Sequence, residues 1–245
     1  MIELLKKIPE YNELIVNNYE LPSRGYFYPS DFKIILTRID IDDVRNVFTR
    51  VSNTTPKMTS YVMMVLINNI LIDQIILNKG YSYDMLVSID ILYLFLELIK
   101  FSKGSDVDIN GVAFKSDNFE YFDFDDWGEY YDAEKRAFIF DGWEMRLPSV
   151  GAYQSVIDYA ILKGKNADNN IDLTLLYFLK ENSYFMGVSE IENLSLCFND
   201  LSAKERERLK KITKKLEGHM TYRINDGEKE IGMTPDMVVS ILISG

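Results

Sequence analysis

The sequence predicts an α+β protein: a mostly helical body, a β-rich insertion around residues 105–148 and an extended N-terminal arm. Three observations lead there. Two apolar runs, 61–77 and 85–99, have the length and the sparse polar punctuation of buried helices. From residue 105 the texture changes, with Asn110-Gly111 set between alternating apolar positions. Near the N-terminus, Leu21-Pro22-Ser23-Arg24-Gly25-Tyr26-Phe27-Tyr28-Pro29 crowds turn formers and aromatics into one short run.

That run cannot be a helix. Pro22 fixes one backbone angle, Gly25 permits a positive one, and Pro29 biases Tyr28 toward an extended form. A looping arm is expected, whose three rings need a surface to lie on, on their own domain or a neighbour's. Residues 32–37 read as a short strand and 40–51 as a short helix. Thr59 or Ser60 caps a helix running to about Asn78 and stopping at Gly80. Ser82 caps a second one, ending near Gly104. Asn68, Asn69, Asp73 and Gln74 recur at roughly helical spacing and leave most of the circumference apolar, which implies deep burial.

A hairpin on Asn110-Gly111 follows, then strand-like runs at 121–124, 137–140 and 143–147. Pro148-Ser149 restarts helix up to about Gly164, and further helices are expected at 173–181, 190–197 and 203–217. Two of these open on capping boxes, Ser189-x-x-Glu192 and Ser202-x-x-Glu205. Runs 220–224 and 228–231 flank Asn225-Asp226-Gly227 as a second hairpin, and Thr234-Pro235 opens a final short helix. The expected division is an arm and helical part over 1–104, the β-rich insertion over 105–148, and a helical part over 149–245 completing the same globular unit.

With 245 residues, 47% of them apolar and 27% charged, the chain can bury a substantial core. A formal net charge of -11 argues against a general nucleic-acid binder, since phosphate contacts require clustered cations. Neither apolar run reaches the ~20 uninterrupted residues of a membrane span, and the first residues lack the apolar core of a signal peptide. Cys197 is the only cysteine, so an intrachain disulfide or a cysteine zinc site is excluded.

Catalytic patterns are sparse. Cys197 lies in an apolar stretch and reads as a buried structural residue, while His219, just after Gly218, reads as topping a helix dipole. No phosphate loop, dinucleotide fingerprint or paired-histidine motif occurs. Asp106-Val107-Asp108-Ile109-Asn110-Gly111 matches the first half of a calcium loop, but Ala113 and Asp117 fall at its eighth and twelfth positions. The alternation of Val107, Ile109 and Val112 favours a hairpin instead. Residues 117–134 interleave carboxylates with Phe119, Tyr121, Phe122, Phe124, Trp127, Tyr130 and Tyr131. Such a run can pack one aromatic face down with its acids in water, dock a protein, or hold two carboxyls ~5–9 Å apart for glycoside hydrolysis. Opposite in sign, 204–215 carries seven cations against two glutamates: a solvated helix face, or one that meets an acidic patch.

The Leu-Pro-Ser-x-Gly-x-x-Tyr-Pro run at 21–29 resembles the opening motif of the baseplate hub and hub-assembly proteins of T-even-like contractile-tailed phages. The likeness continues over 83–104, where Asp90, Lys100 and Gly104 stand in the places of that family's central helix. Arg146-Leu147-Pro148-Ser149 is similar to its basic-Leu-Pro-Thr/Ser opening of the next helix. Some relatives place cysteine pairs in the β-rich part; this chain has none there, so no metal is carried over. The resemblance implies a non-enzymatic tail component, in the virion baseplate and in the host cytoplasm during assembly. It implies docking with other baseplate or hub proteins, without cofactor, nucleic acid, membrane or small-molecule substrate. The candidate partner-binding residues are Leu21, Pro22, Arg24, Gly25, Tyr26, Phe27, Tyr28 and Pro29, with Tyr121, Phe124, Trp127, Tyr130 and Tyr131 from the insertion. Two alternatives stand beside it. One is an assembly chaperone absent from the mature virion; the other is a cell-wall glycosidase using carboxylates of 117–134, which requires a cleft shielding one carboxyl of raised pKa.

Overall fold

The computed structural model describes residues 12–54, 60–120, 128–140, 143–162, 200–218, 222–234 and 237–238. The fold is mixed α+β, with several small antiparallel sheets around a buried helix. In the first sheet, β1 (Glu13–Val16), β2 (Ile34–Thr37) and β3 (Ile75–Leu77) lie in that spatial order. Strand β2 alternates strictly: Ile34 and Leu36 face the core while Ile35 and Thr37 face outward.

Helix α1 (Ile41–Thr54) buries Val44 and Phe48, one turn apart, and Phe48 meets Phe95 edge-on. Helix α2 (Ser60–Gln74) buries Met63, Ile67 and Leu71 at the same four-residue spacing. It does not run on to Asn78. Residues 75–77 leave the helix and satisfy their backbone groups against β2, with Ile76 opposite Ile35.

Helix α3 (Asp90–Lys103) is the centre of the molecule, buried at every position from Asp90 to Ile99. Each of its large apolar side chains contributes about 1.5–3 kcal/mol by leaving water. It starts at Asp90 rather than after Ser82. The intervening chain forms a 3-10 turn (Tyr83–Met85), and Ser88 N–H then donates to the Pro148 carbonyl at 2.8 Å. Gly104, at φ 69°, ends α3 with its N–H on the Lys100 carbonyl.

Strands β4 (Asp108–Ile109) and β5 (Val112–Ala113) form the hairpin expected on Asn110-Gly111, whose φ angles are 53° and 88°. Strand β6 (Phe119–Glu120) does not pair with its neighbours in sequence. It pairs with β10 (Tyr222–Asn225), which pairs in turn with β11 (Glu230–Met233). Strands β7 (Tyr131–Asp132), β8 (Ala137–Phe140) and β9 (Trp143–Met145) make a separate antiparallel sheet. The 105–148 stretch is therefore rich in strand, but one of its strands belongs with the C-terminal hairpin, and its side chains join the same hydrophobic core.

Helix α4 (Val150–Leu162) starts where Pro148-Ser149 predicts it. Helix α5 (Ala203–Gly218) opens on a complete capping box: Ser202 N–H and Oγ both donate to Glu205 Oε2, and Glu205 N–H donates back to Ser202 Oγ. The helices expected at 173–181 and 190–197, the capping box at Ser189, the strand at 121–124, Cys197, His219 and Pro235 lie outside the described residues.

Candidate functional site

The run 21–29 is a folded turn and not an extended arm. Arg24 N–H donates to the Leu21 carbonyl, Tyr26 N–H to Ser23 and Tyr28 N–H to Gly25. Arg24 and Gly25 both hold positive φ, 52° and 72°. A Cβ at Gly25 would lie 3.0 Å from Asn18 Cβ and 3.1 Å from its carbonyl oxygen, so a side chain there meets a tight contact as well as a strained φ.

This turn sends its side chains in two directions. Leu21, Pro22, Phe27 and Tyr28, expected to meet a partner, are buried in the protein's own core, while Gly25 and Pro29 are half-buried. Their area serves folding, because the rings find complementary surface within the chain: Phe27 packs edge-on to Phe138, and Tyr28 stacks on Phe32 at 4.4 Å. Arg24 and Tyr26 remain on the surface.

Beneath the turn, Asp90 forms a fully buried polar node. Its carboxylate accepts from Ser23 N–H at 2.7 Å, from Ser23 Oγ at 2.8 Å and from Tyr28 Oη at 2.6 Å. Tyr28 Oη also accepts from Val87 N–H at 2.8 Å. Burial pushes the Asp90 carboxyl up to about 6, against the pull of the donors from Tyr28 and Ser23. The Tyr28 phenol is raised well above its ordinary value, first by burial and then by the Asp90 charge. Arg146, itself buried, donates from Nη2 to the Phe27 carbonyl at 2.7 Å, and Val87 bridges to Ser149. The three runs that carry the resemblance, 21–29, 83–104 and 146–149, thus meet at one place.

Above the turn, the surface joins two segments expected separately to dock. Tyr26 stacks on Tyr131 with ring centroids 4.7 Å apart, and Tyr131 Oη donates to the Tyr26 carbonyl. Burial raises the Tyr131 phenol, as does neighbouring Tyr26. Tyr130 packs on Phe140 at 4.9 Å and remains exposed. Beside them is an open depression of about 400 Å³ lined by Glu129, Tyr130, Tyr131, Asp132, Glu134 and Ile139. The surface combines aromatic area with carboxylates in water. Tyr121, Phe124 and Trp127 lie outside the described residues.

Comparison with family models, with curated proteins and with solved structures returned no match. The chemistry of the site rests on its own geometry.

Among the described acids of 117–134, Asp117, Glu129 and Glu134 are exposed and Asp132 is half-buried, its Oδ1 accepting from the N–H groups of Glu134 and Lys135 in a turn. None of these four is shielded in the manner a general acid requires. The shielded carboxyl that sequence reasoning missed is Glu97 on α3, raised above the ordinary range by burial and accepting from Ser116 Oγ at 3.1 Å. It lines a cleft of about 480 Å³ with Arg38, Lys100, Phe101 and Asp106. Its signal was available: with Asp90, it is one of two carboxylates inside the apolar run 85–99. Asp106 is exposed and lies 3.7 Å from Lys100 Nζ, so the cleft has one shielded acid and not a pair. Among the described residues no group of side chains is arranged to hold a metal ion, and no helix is long and apolar enough to cross a membrane.

Proposed function

We propose that the protein is a structural or assembly component of the hub region of a contractile phage tail baseplate, acting by protein–protein docking. The observation that carries this reading is the joining of Tyr26 and Tyr131 into one exposed aromatic surface beside Tyr130. Exposed tyrosines held by stacking lose little freedom when a partner covers them, and they rank among the residues that dominate interface energetics. The surrounding carboxylates fit a partner surface bearing cations. The resemblance of the three runs that meet around the Leu21–Pro29 turn supplies the class of assembly.

Quantitative mass spectrometry of purified virions against infected-cell lysate tests the reading. A baseplate component is recovered in both, an assembly chaperone in the lysate complexes alone. Recovery only as a free monomer in the lysate would exclude both.

A further inference from the structure

The outer face of the β1–β2–β3 sheet has no covering element among the described residues. Register places Ile15 opposite Ile35 and Ile35 opposite Ile76, so three isoleucines form one row running at right angles to the strands. The pleat that turns Ile34 and Leu36 into the core turns Ile35 out. Ile15 is 66% exposed and Ile76 47%, with Ile35 half-buried between them. Outward positions of a one-sided sheet are ordinarily polar, and edge strands above all. A continuous apolar row there marks an interaction face.

The flanks of the row carry opposite charge. Glu13 stands on the side of Thr37, its register partner, and Lys33 stands two residues beyond Ile35 on the other side; both are exposed. We propose that this face binds a second copy of the chain, sheet against sheet, about a two-fold axis lying along the isoleucine row. A two-fold interface presents the same patch from both copies, so the patch must complement itself. Rotation about the row sets isoleucine on isoleucine. It also carries the partner's Lys33 across to the side of Glu13, displaced by one strand spacing of about 4.8 Å. Facing sheets lie about 10 Å apart, a gap that interdigitated isoleucines fill and that the long Glu13 and Lys33 side chains span. A two-fold along β2 would instead set Lys33 against Lys33, so charge selects the first axis. Three isoleucines with their flanks fall well short of the roughly 800 Å² per partner of a standard stable interface, and the dimer is accordingly weak, with Kd in the micromolar range or above.

Sedimentation velocity of the full chain over a concentration series at low salt tests this. The wild type should shift from monomer to dimer with concentration, and Ile35→Glu should stay monomeric with an unchanged circular dichroism spectrum. Ile15→Thr, a milder outward change, should raise the dimer Kd severalfold, and serves if Ile35→Glu does not fold. Glu13→Lys alone and Lys33→Glu alone should each weaken the dimer. Glu13→Lys with Lys33→Glu should restore it, because both copies then carry the exchanged pair. A wild type that is monomeric at every concentration overturns the proposal and leaves the face to a different protein. So does a dimer indifferent to both isoleucine variants, or a double exchange no stronger than either single one.

Discussion

Tyr28 donates its phenolic proton to Asp90 at 2.6 Å across 62 positions of sequence. The bond ties the Leu21–Pro29 turn to the first residue of the central helix. Removing the acceptor should therefore damage the fold and not merely a surface. Asp90→Ala leaves Ser23 N–H, Ser23 Oγ–H and Tyr28 Oη–H in a dry site without their shared acceptor. The expected loss is about 3 kcal/mol or more of unfolding free energy, read by urea denaturation. Tyr28→Phe removes one donor and strands the Val87 N–H, for about 1–3 kcal/mol. A Tyr28→Phe protein as stable as wild type would show that the node is not coupled to folding.

The same carboxyl makes stability depend on pH. Asp90 titrates at about 6 in the folded chain, against 3.8 for an aspartate in water. Between these values the folded state holds a proton that the unfolded state has released, so stability falls as pH rises through the interval. The contribution is fully present below about 3.8 and lost above about 6. Glu97, also raised by burial, acts in the same direction, whereas Glu205 and Asp226, lowered by hydrogen bonds, act in the opposite one. Comparing wild type with Asp90→Asn from pH 4 to 7 isolates the contribution of this one group: the wild-type denaturation midpoint should fall relative to the variant's as pH rises. Parallel curves would contradict the assignment.

Two glycines should respond differently to a methyl group. Gly111 holds φ 88°, but a Cβ there would meet only Lys229 Nζ at 3.7 Å, an ordinary contact. Its substitution is penalised by the backbone alone, about 1 kcal/mol for Ala and more for β-branched Val. Gly25 adds steric overlap with Asn18 to its own positive φ. Gly25→Ala should therefore lower the thermal midpoint more than Gly111→Ala does.

The docking surface is tested by Tyr26→Ala combined with Tyr130→Ala, both rings being exposed. Under the proposed reading, the variant should keep its circular dichroism spectrum while its affinity for phage tail proteins falls about thirtyfold, the scale of a truncated aromatic hot spot of ~2 kcal/mol. Unchanged co-purification would move the interface elsewhere. Tyr28 is unsuitable for this experiment because its ring and hydroxyl are both used inside the core.

Local chemistry made some parts of the fold legible and not others. The Asn110-Gly111 hairpin and the Ser202 capping box form as expected because every group they need lies within six residues. The end of α2 was not legible: the polar residues of 61–77 keep a helical spacing up to Gln74, and only the distant strand β2 decides that residues 75–77 extend. The proline and glycine of 21–29 correctly ruled out helix. They could not say where Phe27 and Tyr28 point, since Phe138, Arg146 and Asp90 lie far along the chain. The candidate site was legible as two separate aromatic segments, and its decisive feature, Tyr26 resting on Tyr131, is purely tertiary.

The pairing of Phe119 with Ile224 sets a timetable for synthesis. The ribosome adds about 5–20 residues per second, so β6 emerges on the order of ten seconds before the strand it must join. Throughout that interval its hydrogen-bonding edge is open to any extended segment nearby. The pairing forms only once Tyr222–Asn225 has also left the ribosome, and a nascent chain stalled before residue 222 cannot make it.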